Sequence, residues 1–413
     1  MTQLDKSRQE LTHRWPQFLP DGKHFLYFAR AQENSVYLGT LGSSERKLIL
    51  KNNTNAVYSP SGVLLFQQHG NLMAQSFDLQ HLELSGAASS IADGVAAWDV
   101  WQHALFSVSD TGNLAFQTKT DRLVQPVWVD RSGKVLEPLG DPAPITDGVT
   151  SRDGQQIAFV IDDSQEGTTN IWTLDVARKV KTRLTFEPLI AYFPTWSPDH
   201  SRVYFGSNRL GLTQVFSVPF AGVGQAERLF SSEGAFAPTS WSPDGRYLAI
   251  LRQEGVDDPK STIWIYENFG EKKLRPLFAS SHSPEWGAVF SPNGKWLAYH
   301  SIESGKPQVY VVPFPEANVK IQVSKDLGYG PKWSRDSKEL FYLADDGMLT
   351  VASLQEAKNG LQIHRLTALF KVERPPFDVS PDGQRILIFR PAENPKRSSI
   401  TLITNWPVLL SRK

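Results

Sequence analysis

The chain has 413 residues, with 43 Lys plus Arg balanced by 43 Asp plus Glu, and no cysteine. Zero net charge without a basic block excludes the electrostatic footprint of a nucleic-acid binder, and the absence of thiols excludes disulfides and thiolate metal sites. No run approaches the roughly 20 apolar residues of a membrane span, and the polar stretch from Met1 to Glu10 has no signal-type apolar core, so the chain as written is expected to be soluble, in a compartment the residues do not name.

In chain order, the first element is Thr2-Gln3-Leu4-Asp5. It has the look of a lone outer strand, and residues 1–14 are expected to help close a ring. Leu19-Pro20-Asp21-Gly22 then opens a series of nine related turns. The others are Tyr58-Ser59-Pro60-Ser61-Gly62, Ser109-Asp110-Thr111-Gly112, Ser151-Arg152-Asp153-Gly154, Trp196-Ser197-Pro198-Asp199-His200, Trp241-Ser242-Pro243-Asp244-Gly245, Phe290-Ser291-Pro292-Asn293-Gly294, Trp333-Ser334-Arg335-Asp336-Ser337 and Val379-Ser380-Pro381-Asp382-Gly383. Their last residues lie 40 to 50 positions apart. Pro presets φ at the first central position, Ser or Asp caps the turn, and Gly accepts positive φ. His200 and Ser337 take the Gly position at a cost in strain.

Each turn sits in one repeated grammar. A short strand precedes it, as in Pro194-Thr195-Trp196, and a nearly continuous apolar strand follows, as in Tyr247-Leu248-Ala249-Ile250 or Trp296-Leu297-Ala298-Tyr299. Such runs suit strands covered on both faces. A third strand carries an aromatic centre, as in Ile171-Trp172-Thr173-Leu174 or Ile263-Trp264-Ile265-Tyr266, and a more polar fourth closes the unit, as in Thr182-Arg183-Leu184-Thr185. Four strands at this period specify an all-β propeller of antiparallel blades. Trp172, Trp196, Trp241, Trp264, Trp296 and Trp333 are expected between blades. The ninth unit ends early, with Ile400-Thr401-Leu402-Ile403 as its third strand and no clear fourth.

Nine units allow one ring of eight to nine blades, or three units followed by a six-bladed ring. The expected divisions are residues 1–14, 15–140 and 141–413. The single array is preferred, because a three-unit fragment would leave two large apolar faces in water.

No catalytic spacing is present. There is no Gly-x-Ser-x-Gly elbow, no phosphate-cradling loop, no His-Arg-Asp and no His-Glu-x-x-His. The nine His are scattered, and no cofactor or metal is expected. The recurring turn Asp reads as a cap rather than a ligand. Loops carry function when a rigid scaffold aims them, so binding is expected on inter-blade loops and on those joining second to third strands. Tyr192, Arg209, Glu285, Trp286, Tyr329 and Arg374 offer the aromatic and charged groups that dominate binding hot spots.

The Trp-Ser-Pro-Asp-Gly units, Ile-Trp third strands and Arg-Leu-Thr fourth strands resemble the TolB-like group of WD-type β-propellers. His13-Arg14-Trp15-Pro16-Gln17-Phe18-Leu19-Pro20-Asp21-Gly22, Ser207-Asn208-Arg209, Lys338-Glu339-Leu340-Phe341-Tyr342-Leu343 and Phe377-Asp378-Val379-Ser380-Pro381-Asp382-Gly383-Gln384-Arg385 further resemble the C-terminal propeller of bacterial transmembrane serine/threonine protein kinases. That resemblance implies a sensor or interaction module outside the membrane, behind a kinase domain and a span. Neither is found in this chain, so no kinase activity carries over. The expected function is a non-catalytic scaffold binding a protein, peptide or small molecule on one face. The alternative is a propeller attached to a peptidase or hydrolase, with a site in its channel.

Overall fold

The computed structural model describes residues 2–8, 10–31, 33–98, 102–119, 123–163, 168–186, 190–221, 224–253, 260–279, 283–357, 360–373, 376–392 and 399–411. Their regular structure is β-strand, with short 3-10 turns at Lys6–Arg8, Asp345–Gly347 and Trp406–Ser411. The chain forms two compact units. One comprises residues 1–121, 163–167 and 396–413, the other residues 122–162 and 168–395.

The second unit is built of six four-stranded antiparallel sheets. Blade one runs from its inner strand Ile145–Thr150 through Gln156–Asp163 and Thr168–Asp175 to Lys181–Arg183. Blades two to five begin at Ala191–Trp196, Ala235–Trp241, Glu285–Phe290 and Gly328–Trp333 and repeat that order. Blade six takes its inner strands, Phe377–Val379 and Arg385–Pro391, from late in the chain and its outer strands, Val124–Asp130 and Val135–Pro138, from early in it. Seven residue pairs, Val124 with Pro391 to Asp130 with Arg385, join the halves. Each inner strand neighbours the next around the circle, and Phe377–Val379 neighbours Ile145–Thr150, so the ring is closed.

Burial follows this plan. The second strand of blade three, Tyr247–Gln253, is buried in its middle, while the fourth, Lys273–Pro276, faces solvent. Each pair of adjacent blades shares one apolar cluster. Blades three and four meet through Ile263, Ile265, Phe290 and Leu297. Blades six and one meet through Trp128, Phe389, Ile157 and Phe159.

The turn motif is legible atom by atom. Ser197 Oγ donates to Asp199 Oδ1 at 2.6 Å, the same carboxylate oxygen accepts the Ser201 N–H, and Arg202 N donates back to Ser197 Oγ at 2.9 Å. The pattern recurs at Ser151, Ser242, Ser334 and Ser380, and at Ser291 with Asn293 in place of Asp. His200 and Ser337 hold φ of 59° and 61° at the glycine position, where an L side chain is strained.

These caps make the fold acid-sensitive. At Asp199 and Asp382 the serine hydroxyl bond is the main cause of a carboxyl held below its ordinary value. At Asp153, Asp244 and Asp336 partial burial pushes up, and the serine and backbone donors outweigh it. A lowered native pKa contributes stability that is present above the unfolded value, 3.8 for Asp, and lost as pH falls through the native one. Chemical denaturation midpoints should therefore drop below about pH 4. Replacing these aspartates together by Asn, as nature does at Asn293, should flatten that drop. An unchanged profile would refute the assignment.

The first unit holds two four-stranded sheets, beginning at Thr12–Phe18 and Ala56–Ser59. It also holds the pair Ala97–Trp98 with His103–Ala104, and a three-stranded sheet of Phe106–Val108, Leu114–Gln117 and Ile400–Ile403.

Three expectations are corrected here. The strands Val124–Asp130 and Val135–Pro138, assigned to the early units, belong to the six-bladed ring, where they are the outer strands of the sheet that holds the ninth turn. Ile400–Ile403 does not extend the ninth unit but pairs with Leu114–Gln117. Thr2–Asp5 is not a strand. Asp5 and Glu10 instead dock on the first sheet, where Arg46 sits 4.4 Å over the Tyr37 ring and donates to Glu10 at 2.7 and 2.8 Å and to Asp5 at 3.0 Å. Residues 400–411 pack at the seam between the second and third sheets, where Trp406 is fully buried among Val63, Leu65, Val95, Leu114 and Phe116.

Candidate functional site

The inner strands of the six-bladed ring carry bulges. Register shifts fall between Ile145 and Asp147, Tyr192 and Thr195, Pro238 and Ser240, Trp286 and Val289, and Tyr329 and Lys332. A bulge re-aims side chains and is common beside functional sites. Phe193 takes φ of 53° within one, and half of its side chain stays exposed.

Where the inner strands end in the motif turns, a cavity of about 220 Å³ opens on the ring axis. All six blades line it. Blade one contributes Val149 to Arg152, and blades two and three contribute Trp196 to Pro198 and Trp241 to Pro243. Blades four to six contribute Val289 to Pro292, then Lys332, Trp333 and Arg335, then Asp378 to Pro381. The rim is laced between blades. Trp196 Nε1 donates to the Val149 carbonyl at 3.3 Å and Trp333 Nε1 to the Val289 carbonyl at 3.2 Å. Phe290 N donates to Ser240 Oγ at 3.1 Å. Of the tryptophans expected between blades, Trp172, Trp196, Trp241, Trp296 and Trp333 pack in inter-blade clusters, and Trp196, Trp241 and Trp333 also line the cavity.

Asp378 is the lining carboxylate. Thr150 N and Oγ1 donate to one oxygen at 2.7 and 2.8 Å, Val379 N donates to the other at 2.9 Å, and Lys332 Nζ stands 3.9 Å away. Further along the strands, burial pushes the Asp147 carboxyl above its ordinary value. Lys332 and the N–H groups of Gly148 and Phe193 oppose that, and the Asp378 charge adds to it. No group of three or more His, Cys, Asp or Glu among the described residues could hold a metal ion.

One triplet has the composition of a hydrolytic relay but not its order. Ser151 Oγ donates to Asp153 Oδ1 at 2.6 Å, and His200 Nδ1 lies 3.3 Å from Asp153 Oδ2. A serine nucleophile needs the imidazole between itself and the carboxylate. Here the carboxylate is in the middle, so the serine is a turn cap.

The expected binding residues that the structure describes, Tyr192, Arg209, Glu285, Trp286 and Tyr329, lie at the other end of the inner strands or on the loops there, and none of them lines the mouth. The Tyr192 hydroxyl is hydrogen-bonded to Thr213 Oγ1. The Arg209 guanidinium stacks 4.5 Å over Phe216. Glu285 is 2% exposed and accepts the Ile263 N–H at 3.2 Å, which makes it part of the junction between blades three and four. Trp286 stacks on His300 at 5.5 Å. Gly287, at φ 63°, allows this approach, since a Cβ there would meet the His300 ring at 3.1 Å. Burial pushes the His300 imidazole down to about 4. Tyr329 packs against the cluster shared by blades five and six. Arg374 lies outside the described residues. The turn motif reads in sequence as turn-capping chemistry alone, which does not point to the mouth. The departures from that motif, Arg152 and Arg335 in place of Pro, were the available signal.

Residues 148–268 match the family model for the TolB beta propeller domain, PD40. The Tol-Pal system protein TolB of Francisella tularensis subsp. mediasiatica is 25% identical over 170 residues, 40% of this chain and 37% of that protein. The uncharacterized peptidase YuxL of Bacillus subtilis is 25% identical over 210 residues, 41% of this chain and 32% of that protein. The chain thus spans about a third of the length of these curated relatives. A solved structure from Agrobacterium tumefaciens, named as a TolB, superposes with a TM-score of 0.51 at 16% identity, covering 66% of this chain and 99% of that one. At that identity the likeness is one of fold. Residues 148–268 are thus similar to the TolB beta propeller domain, and the closed ring of four-stranded blades is a β-propeller fold.

Proposed function

We propose that this chain is a non-catalytic binding scaffold that receives a protein or peptide partner at the turn-motif mouth of the six-bladed ring. It would serve as a sensing or interaction module of the kind that the resemblance to receptor-type kinase propellers implies. The observation that carries this reading is the convergence of six laced turns on one axial cavity. Its walls combine aromatic edges, prolines and cations, the residue classes that anchor partners. The serines there are committed to capping, which leaves the lining suited to contact rather than to chemistry.

Site-directed photo-crosslinking tests this. A benzoylphenylalanine in place of the mouth residue Pro292 should capture a discrete partner in cells. The same group at Val180, exposed on the outer edge of blade one, should not. Capture at neither position, or equally at both, would sink the proposal.

A further inference from the structure

The motif turns of the ring place Pro198, Pro243, Pro292 and Pro381 at the position after Ser in four blades. Blades one and five place Arg152 and Arg335 there. Pro suits this turn position, so the turn itself does not call for arginine, yet both departures bring a guanidinium to the cavity wall.

The charges at the mouth are uneven. Arg152, Arg335 and Lys332 line it against the single carboxylate of Asp378, whose oxygens are already taken by three donors from Thr150 and Val379. Arg152 makes one long hydrogen bond, 3.4 Å to the Pro243 carbonyl. Arg335 has no hydrogen bond or ion pair with the described residues. The acids that follow them in sequence do not neutralise them. Asp153 is engaged by Ser151, Gln155 and His200, and Asp336 by Ser334 and Lys338. A cavity of about 220 Å³ falls below the roughly 300–1,000 Å³ of a drug-sized pocket. It fits one or two side chains, not a folded domain.

We propose that the mouth recognises the carboxylate of an acidic peptide segment, held by the Arg152 and Arg335 guanidinium groups with Lys332 behind them. This inference rests on the binding-scaffold reading and adds the chemistry of the ligand. Guanidinium groups grip carboxylates in bidentate fashion, and charge-assisted bonds of this kind are about twice as strong as neutral ones. The aromatic edges of Trp196, Trp241 and Trp333 would flank the stem.

The test uses the full chain and three probes: a fluorescent hexaglutamate peptide, its hexaglutamine counterpart, and inorganic phosphate as competitor. Hexaglutamate should bind with an affinity that falls as salt rises, and hexaglutamine should not. The variant Arg152→Pro/Arg335→Pro restores the residue of the sister turns and removes no described backbone hydrogen bond. It should keep the melting temperature and weaken hexaglutamate binding at least about tenfold. Equal binding of both peptides, no binding of hexaglutamate, or an unaffected variant would overturn the proposal. So would phosphate binding without hexaglutamate binding. If crosslinking at position 292 still captures a partner while hexaglutamate fails, the carboxylate assignment alone falls. If capture fails as well, the scaffold reading falls with it.

Discussion

A fragment of residues 122–395 is expected to melt in one cooperative transition, and a fragment of residues 122–371 to show none. The two differ by the inner strands of blade six. Those strands bury Phe377, Val379, Ile386, Leu387 and Phe389, each no more than 6% exposed. At about 1.5–3 kcal/mol per fully buried apolar side chain, their removal costs on the order of 10 kcal/mol. A whole domain is stable by only about 5–15 kcal/mol, so the loss is comparable to the total. It also strips the ladder partner from Val124–Asp130 and leaves an unpaired edge, a template for aggregation. Calorimetry and limited proteolysis of both fragments would check this. A shorter fragment that melts as sharply as the longer one would show that the ring does not depend on closure by its last strands.

That closure marks the limit of what the chain spells out. Blade grammar is local. Strand, turn and apolar run are written within some twelve residues, as at Trp241 to Ile250, and the structure follows them nearly atom for atom. Which sheets share a ring is not local. Arg385–Pro391 pairs with Val124–Asp130 across more than 250 residues, and no pattern in either strand names the other. The docking of Asp5 and Glu10 is equally non-local. Arg46 with Glu10 is visible only once the first sheet has brought them together, so Thr2–Asp5 resembled an edge strand when read alone. The binding residues were chosen by type, aromatic or charged on a loop. Glu285 shows why that fails, since its carboxylate serves the backbone of a neighbouring strand and is sealed from solvent. Arg152 and Arg335 were legible, but only as exceptions to a rule that had first to be recognised as structural.

The second large effect is expected from Trp406→Ala, in the short segment that ends the described chain. Trp406 is fully buried among Val63, Leu65, Val95, Ala104, Leu114 and Phe116. Its backbone N–H is bonded to the Gly112 carbonyl at 3.0 Å, which fixes the last turn onto the third motif turn. The indole Nε1 has no hydrogen-bond partner among the described residues, so truncation removes apolar contact and leaves a cavity without stranding a polar group. Such a change typically costs about 3–5 kcal/mol, or roughly 10 °C in a unit of this size. The unit that contains Trp406 should carry the whole loss, because its apolar neighbours all belong to that unit, while the transition of residues 122–395 stays in place. Val408→Ala, two residues on and 44% exposed, should change stability by no more than about 0.5 kcal/mol. If scanning calorimetry finds Trp406→Ala no more damaging than Val408→Ala, the tail is a passenger.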